Sequence, residues 1–199
     1  MSSKDCVIVI DMQNDFVETG APCCVKGASA TVPAIVSFVK RALEEDVEVF
    51  FVIRGHKQDG SDAESFRKHL YSKDVGGVCV FGTHGFELVD ELKDVYEQAV
   101  LAGKPVKTVI KKRFSGFYGT ELDEMMKKHV GGTVYITGTQ IPNCVRATAI
   151  DAMERDFDVV VVSDCCSAQT KQVEESNYYD LMNMGIRVIP SCDLSFSHV

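Results

Sequence analysis

Short apolar runs alternate with amphipathic stretches along the whole chain, and this alternation constrains the fold more than any other feature. The runs are almost continuously apolar, as expected for strands whose two faces are both covered. Strands that alternate with helices connect by right-handed crossovers into a mainly parallel sheet. We therefore predict an α/β fold with three α/β/α layers and a mainly parallel six-stranded sheet. The strands are predicted at residues 6–11, 48–54, 106–110, 133–138, 158–163 and 186–190.

Helices are predicted between these strands, because apolar residues recur there at helical spacing. Their positions are residues 31–45, 119–129, 144–156 and 171–184. Residues 55–105 are less regular, and glycines interrupt them repeatedly. We interpret this segment as an irregular excursion that roofs a site and contains a helical turn around residues 86–92. No linker or repeat marks a boundary, so residues 1–199 are predicted to form a single domain.

Three ionisable side chains follow three of the predicted strands. Asp11 follows the first strand, Lys111 follows the third, and Cys144 lies at the predicted helix start after the fourth. Ligands of parallel sheets bind beyond the carboxyl ends of the strands, so we expect one site. A helix N-terminus and a nearby ammonium favour a thiolate, and a carboxylate can accept the thiol proton. Backbone N–H groups of residues 138–143 would bind a developing oxyanion.

Composition excludes several classes of protein. The net charge of −8 argues against nucleic-acid binding. No apolar run reaches the roughly 18 residues that a membrane span needs, and no signal-peptide pattern is present, so we predict a cytoplasmic protein. The eight cysteines lack a C-x-x-C spacing, which argues against a zinc ribbon. Seven of the eight are interpreted as residues without a chemical role, and Cys144 is the exception.

Three ordered motifs carry a resemblance to a known family. Residues 11–16 read DMQNDF, residues 111–122 read KKRFSGFYGTEL, and residues 138–145 and 148–152 read GTQIPNCV and TAIDA. With these motifs the chain resembles the isochorismatase-like cysteine hydrolase superfamily. That superfamily includes nicotinamidases, carbamoylsarcosine amidase and ureido or biuret hydrolases, and its fold is Rossmann-like.

The resemblance implies a catalytic triad of Asp11, Lys111 and Cys144. In such enzymes the thiolate attacks a carbonyl carbon, ammonia or an amine departs, and water hydrolyses the thioester. The oxyanion hole would use the backbone N–H groups of Gln140 and Cys144, with a cis peptide at Thr139–Gln140. The resemblance also implies a homodimer or homotetramer acting on a small amide or ureido molecule, without a cofactor.

The chain departs from the nicotinamidase pattern at the position of the metal-binding D-x-H motif. Arg54 stands in place of its aspartate and His56 in place of its histidine. We therefore predict no metal and expect ureido, carbamoyl or simple amide substrates. The residues predicted to contact substrate are Phe16, Arg54, His56, Phe117 and Ile141.

Two alternatives remain open at this stage. A redox-sensing protein would use a Cys144 thiol of low pKa and would react with oxidants without hydrolytic turnover. A non-catalytic scaffold would keep the fold for partner binding and have a blocked pocket. The unusual pair Ile141–Pro142, beside the expected oxyanion hole, is the feature that suggests the scaffold.

Overall fold

A computed structural model describes residues 4–196 and contains one six-stranded parallel sheet with the strand order β3-β2-β1-β4-β5-β6. The three-layer fold predicted from the alternation is confirmed. The strands are β1 (Cys6–Ile10), β2 (Glu48–Arg54), β3 (Val106–Lys111), β4 (Thr133–Thr139), β5 (Asp158–Ser167) and β6 (Arg187–Ile189).

The helices lie between the strands, as expected for parallel crossovers. They are α1 (Asn14–Val17), α2 (Ala28–Glu44), α3 (Asp90–Leu101), α4 (Leu122–Met126), α5 (Arg146–Met153) and α6 (Lys171–Asn183). A wide helical turn over Ile141–Val145 connects β4 to α5. Within residues 4–196, no helix is long and apolar enough to cross a bilayer.

The alternation of side chains along each strand divides the core into two clusters. In β1, Val7 and Val9 pack in the cluster that contains residues of α2 and α3. Ile8 and Ile10 face the other side and pack with residues of α4, α5 and α6. Because successive strand residues point to opposite faces, a continuously apolar strand is required to fill both clusters.

The segment predicted to be an irregular excursion is more ordered than expected. It contains the twelve-residue helix α3, so the prediction of only a helical turn around residues 86–92 was wrong. Leu92, Val95 and Ala99 recur at helical spacing and are buried against the sheet. The glycine-rich part before them obscured this pattern, which depends on tertiary packing for its stability.

The strand order changes direction between β1 and β4, since the chain adds β2 and β3 on one side of β1 and then returns to the other side. In open α/β sheets, the crevice beyond the carboxyl ends of the strands at such a point is the usual ligand site. Asp11 follows β1 and Cys144 follows β4. The topology therefore places both residues at this crevice.

Candidate active site

Asp11 and Lys111 form a fully buried ion pair at the carboxyl end of the sheet. Lys111 Nζ donates a hydrogen bond of 2.7 Å to Asp11 Oδ2, and the two side chains are 0% and 1% exposed. Lys111 also donates to the Arg113 carbonyl at 3.1 Å. Asp11 leaves the strand geometry with a φ of 51°, while its N–H donates to the Val52 carbonyl. This local turn, not a longer strand, directs the carboxylate toward Lys111.

Cys144 lies inside the wide helical turn that precedes α5, and only 5% of the residue is exposed. The carbonyl of Cys144 accepts a hydrogen bond of 2.7 Å from the Thr148 hydroxyl. That hydroxyl in turn accepts the N–H of Gly116 at 2.9 Å. Thr148 therefore joins the turn that carries Cys144 to the segment that follows Lys111.

The pKa of the Cys144 thiol is raised above its ordinary value. Burial raises its pKa, and the nearby Asp11 carboxylate raises it further. Lys111 and Arg54 lower the pKa without reversing the shift. The nearby ammonium favours the thiolate as expected, but the cost of desolvating the sulfur, which the sequence analysis did not consider, exceeds the effect of the two cations.

One oxygen of the Asp11 carboxylate is available as a proton acceptor. Asp11 Oδ2 bonds to Lys111, whereas Oδ1 is buried and has no hydrogen-bond partner among residues 4–196. A buried acceptor without a partner is unfavourable and uncommon in native structures. Asp11 also acts electrostatically on Cys144, so this carboxylate lies close enough to the thiol to influence its protonation.

The turn beyond β4 has the cis peptide at Thr139–Gln140 that the resemblance implied. The carbonyl of Gln140 accepts the N–H groups of Asn143 and Val145, at 3.1 and 3.3 Å. Gly138, one residue earlier in β4, has a φ of 108°, and a Cβ there would meet the Ile10 carbonyl oxygen at 2.1 Å. Only glycine fits this close approach of β4 to β1.

Arg54 extends into the site and contacts the sulfur of Cys144. Its guanidinium is buried, and Nη2 lies 3.9 Å from Cys144 Sγ. Nη1 donates to Glu64 Oε1 at 3.1 Å, and Nη2 donates to the Arg113 carbonyl at 2.9 Å. The sequence analysis assigned Arg54 to substrate binding and did not identify Glu64 as its partner.

His56 is held in an arrangement that does not fit a metal ligand. Arg54 Nη1 lies 3.3 Å from His56 Nε2, and Asp62 Oδ1 lies 3.3 Å from His56 Nδ1. Burial and the Arg54 charge lower the pKa of His56, so the ring is neutral and both of its nitrogens have partners. Among residues 4–196, no group of three or more His, Cys, Asp or Glu side chains can hold a metal ion.

The structure separates the other residues predicted to contact substrate. Phe117 and Ile141 are buried in the same cluster as Cys144. Phe16 packs in the cluster on the opposite face of the sheet. The aliphatic and aromatic side chains predicted at the pocket therefore do not all lie on one face, and their contact with substrate stays a prediction.

A glutamine in the first motif has a role that sequence reasoning missed. Arg54 N–H donates to Gln13 Oε1 at 2.7 Å, and Gln13 Nε2 donates to the Arg54 carbonyl at 2.8 Å. The Gln13 side-chain amide thus takes the hydrogen-bonding place of a neighbouring backbone at the end of β2. It holds the backbone of Arg54, and so the start of its side chain, in place. The motif signalled that position 13 matters, but not which atoms it binds.

Comparison with known proteins agrees with this geometry. A family model described as the isochorismatase domain matches residues 5–192. A solved structure of an isochorismatase family protein from Desulfovibrio vulgaris is 44% identical, covers 96% of each chain, and superposes with a TM-score of 0.86.

Two curated relatives cover most of the chain. An Arabidopsis thaliana protein described as a probable inactive nicotinamidase is 37% identical over 91% of this chain and 89% of its own. Maleamate amidohydrolase from Pseudomonas putida is 26% identical over 89% of this chain and 79% of its own. The three motifs, the parallel sheet with its crevice and the match over residues 5–192 lead to one conclusion: this chain belongs to the isochorismatase family.

Proposed function

We propose that this protein is a cysteine-dependent hydrolase that cleaves the C–N bond of small amide, carbamoyl or ureido compounds through a thioester. The observation that carries the proposal is the fully buried Lys111–Asp11 ion pair beside the thiol of Cys144. Titratable groups buried together in a cleft are typical of catalytic sites. The Pseudomonas putida relative is a maleamate amidohydrolase by name, which agrees with this reaction class.

The reaction begins with a proton transfer within the site. Asp11 Oδ1, which has no other partner among the described residues, accepts the proton of Cys144 Sγ. The sulfur lone pair then forms a bond to the carbonyl carbon, and the carbonyl π electrons move to its oxygen. We assign the stabilisation of this oxyanion to the backbone N–H groups of Gln140 and Cys144.

Collapse of the tetrahedral intermediate breaks the C–N bond, and the protonated Asp11 gives its proton to the departing nitrogen. The product is a thioester on Cys144 and free ammonia or amine. Water then attacks the thioester while Asp11 accepts one of its protons, and breaking the C–S bond releases the acid. The Asp11 proton returns to the sulfur and restores the resting thiol.

Lys111 serves this sequence as a fixed cation. Its hydrogen bonds to Asp11 Oδ2 and to the Arg113 carbonyl hold the ammonium in place and leave Oδ1 of the carboxylate free. Its charge lowers the pKa of Cys144 against the effect of burial. The ammonium thereby orients the base and makes formation of the thiolate less costly.

We test the proposal by measuring the release of ammonia or amine from a panel of ureido, carbamoyl and simple amide compounds. Cys144→Ala is expected to abolish turnover, since no other group would form the thioester. Cys166→Ala is a matched control, because Cys166 is a buried cysteine of the same core cluster with no proposed chemical role. Full turnover by Cys144→Ala would disprove the assignment of the nucleophile.

A second candidate function, a non-catalytic scaffold, is favoured by a specific observation. Cys144 is only 5% exposed, the Arg54 guanidinium packs against it, and the Arabidopsis thaliana relative is described as probably inactive. In that case the wild-type protein would release no ammonia from any compound of the panel. The redox alternative loses support, because the pKa of Cys144 is raised and a reactive redox thiol needs a low one.

The remaining features of the proposed enzyme are its organisation and location. We propose a single domain, assembled as a homodimer or homotetramer in the cytoplasm. Size-exclusion chromatography with light scattering measures the oligomeric state directly.

A further inference from the structure

We propose that Arg54 is a further catalytic residue, whose guanidinium pairs with the sulfur of Cys144 when the thiol gives up its proton. This inference rests on the proposed function, since it concerns the same nucleophile. The contact that supports it is the 3.9 Å separation between Arg54 Nη2 and Cys144 Sγ. A guanidinium keeps its charge at every accessible pH, so it can stabilise an anion without exchanging a proton.

The position of Arg54 follows from the sheet. Arg54 is the last residue of β2, and its register partner on β3 is Lys111. Two neighbouring parallel strands therefore end in cations at the edge where Cys144 lies. The Gln13 amide binds both the N–H and the carbonyl of Arg54, so the backbone below the guanidinium is fixed.

The guanidinium itself is held in one orientation. Its Nη1 bonds to Glu64 and to the Lys112 carbonyl, its Nη2 bonds to the Arg113 carbonyl, and the ring of Phe114 lies 5.9 Å from its central carbon. Nη2 has a second N–H, which is directed to the sulfur of Cys144. An arginine restrained in this way is preorganised for a charge that develops at the sulfur.

Two carboxylates and two cations are paired around the sulfur, and Arg67 acts electrostatically on Glu64 from outside this group. Asp11 and Glu64 contribute two negative charges, and Lys111 and Arg54 contribute two positive charges. Transfer of the proton from Cys144 to Asp11 moves one negative charge from the carboxylate to the sulfur and leaves the sum unchanged. Without Arg54, the thiolate would form in a buried site without the cation that contacts the sulfur, which is unfavourable.

A second set of charges lies behind the first and does not contact the sulfur. Asp62 accepts hydrogen bonds from Lys112 Nζ and from the N–H of Lys57, and its Oδ1 lies beside His56 Nδ1. Burial raises the pKa of Asp62, but these hydrogen bonds outweigh burial and lower it to about 2. The Asp62 carboxylate therefore stays ionised at neutral pH, and its charge does not change when Cys144 is titrated.

A purely structural role of the Arg54–Glu64 pair predicts a different outcome. As a structural link, the pair would only join the end of β2 to the excursion, and removing either partner would disturb Cys144 in the same way. If Arg54 acts on the sulfur as a charge, its effect on the pKa of Cys144 is opposite to that of Glu64. Removing Arg54 then raises this pKa, and removing Glu64 lowers it. The sign of each shift separates the two roles.

The experiment is a titration of the Cys144 thiolate by its ultraviolet absorbance, with the same variant carrying Cys144→Ala subtracted as the background. Glu64→Gln leaves the guanidinium uncompensated and is expected to lower the pKa of Cys144. The double variant Arg54→Met/Glu64→Gln removes both charges and avoids an unpaired buried glutamate. It is expected to raise the pKa of Cys144 by about one pH unit, equivalent to about tenfold less thiolate well below the midpoint.

Two further variants complete the test. Arg54→Lys keeps a cation at this position, so it is expected to raise the pKa of Cys144 by less than complete loss of the cation does. Arg41→Met is a matched control. Arg41 is a partly buried arginine that donates to the Ser191 and Leu194 carbonyls away from the site, so its loss should leave the titration unchanged.

Equal shifts in the same direction for Glu64→Gln and the double variant, or no shift in either, would overturn the proposal. The titration needs no substrate, so it reports on Arg54 whether or not the compound panel is hydrolysed. Turnover lost in Cys144→Ala together with an unshifted titration would retain the proposed function and reject the role of Arg54. A shifted titration without any turnover would confirm that Arg54 stabilises the thiolate, but it would reject the proposed function and with it a catalytic role of Arg54.

Discussion

Strand β2 carries a buried charged residue at each of its two ends. The two residues differ in whether all of their polar side-chain atoms have hydrogen-bond partners. At the start, both carboxylate oxygens of Glu48 are bonded, Oε1 to Lys128 at 3.0 Å and Oε2 to His129 at 2.7 Å. At the other end, Arg54 has a buried Nε without a partner among residues 4–196, and it lies in the same site as the similarly unpaired Asp11 Oδ1.

This difference agrees with the proposal that the first end is structural and the second end is reactive. A buried polar network that is fully hydrogen-bonded makes the fold rigid and specific. Unpaired buried acceptors and donors are costly and uncommon, so each one calls for an explanation. Arg41 Nε is also unpaired and lies away from the site, so a missing partner does not by itself identify a reactive end. The end of the sheet with Glu48 has the features of a structural network, and at the other end the unpaired Asp11 Oδ1 belongs to the group that we propose as the proton acceptor.

The largest expected effect tests the reactive end. Asp11→Asn removes the proton acceptor but keeps the shape of the side chain, so kcat should fall on the order of a thousandfold, as expected for the loss of a general base. Steady-state kinetics on a compound hydrolysed by the wild type measure this loss. Glu48→Gln serves as the control, and its kcat should be unchanged. A variant Asp11→Asn with more than a tenth of the wild-type kcat would contradict the assignment.

The second prediction tests the structural end. Glu48→Gln should lower the free energy of unfolding at neutral pH by about 2 kcal/mol, because it weakens two charge-assisted hydrogen bonds in a buried site. Urea denaturation of wild type and variant measures this difference. An unchanged midpoint of unfolding would show that the network at the start of β2 does not stabilise the fold.

The same variant has a characteristic pH dependence. Burial raises the pKa of Glu48, but the hydrogen bonds from His129 and Lys128 outweigh burial and place it below the ordinary value of 4.5. A lowered pKa in the folded protein stabilises it at higher pH, and this contribution is lost as the pH falls through the folded value. The difference between wild type and Glu48→Gln should therefore be largest at neutral pH and shrink in acid.

The smallest effect is expected for Lys128→Met. The Lys128 side chain is 61% exposed, whereas the Glu48 carboxylate that it contacts is buried. Solvent screens such a pair, so the free energy of unfolding should fall by less than about 1 kcal/mol, and less still at high salt. Urea denaturation at low and high salt measures both values. A loss as large as that of Glu48→Gln would mean that Lys128, and not His129, is the main partner of Glu48.

The sequence predicted the sheet and the meeting of Asp11 and Lys111 at one edge of it, because both depend on local order along the chain, whereas the ion pair between them is a finding of the structure. Apolar periodicity determines which residues form strands, and parallel strands bring their following residues to one edge. The carboxylate after β1 and the lysine at the end of β3 meet at this edge and form the buried pair.

Other features depend on contacts that no local pattern encodes. Glu64 reaches Arg54 from a loop ten residues later, and helix α3 depends on burial of one face against the sheet. The sign of the Cys144 pKa shift also required the structure, since burial, the largest influence on it, cannot be read from neighbouring residues. These features depend on long-range packing, and for that reason the sequence analysis did not predict them.

The hydroxyl of Thr148 has a consequence for the robustness of the site. It links the Cys144 carbonyl to the Gly116 N–H through two uncharged hydrogen bonds. Neither ionic strength nor acidity weakens bonds of this kind in the way that they weaken ion pairs. The spacing between the turn that carries Cys144 and the segment that follows Lys111 should therefore persist when pH or salt changes the charges around it.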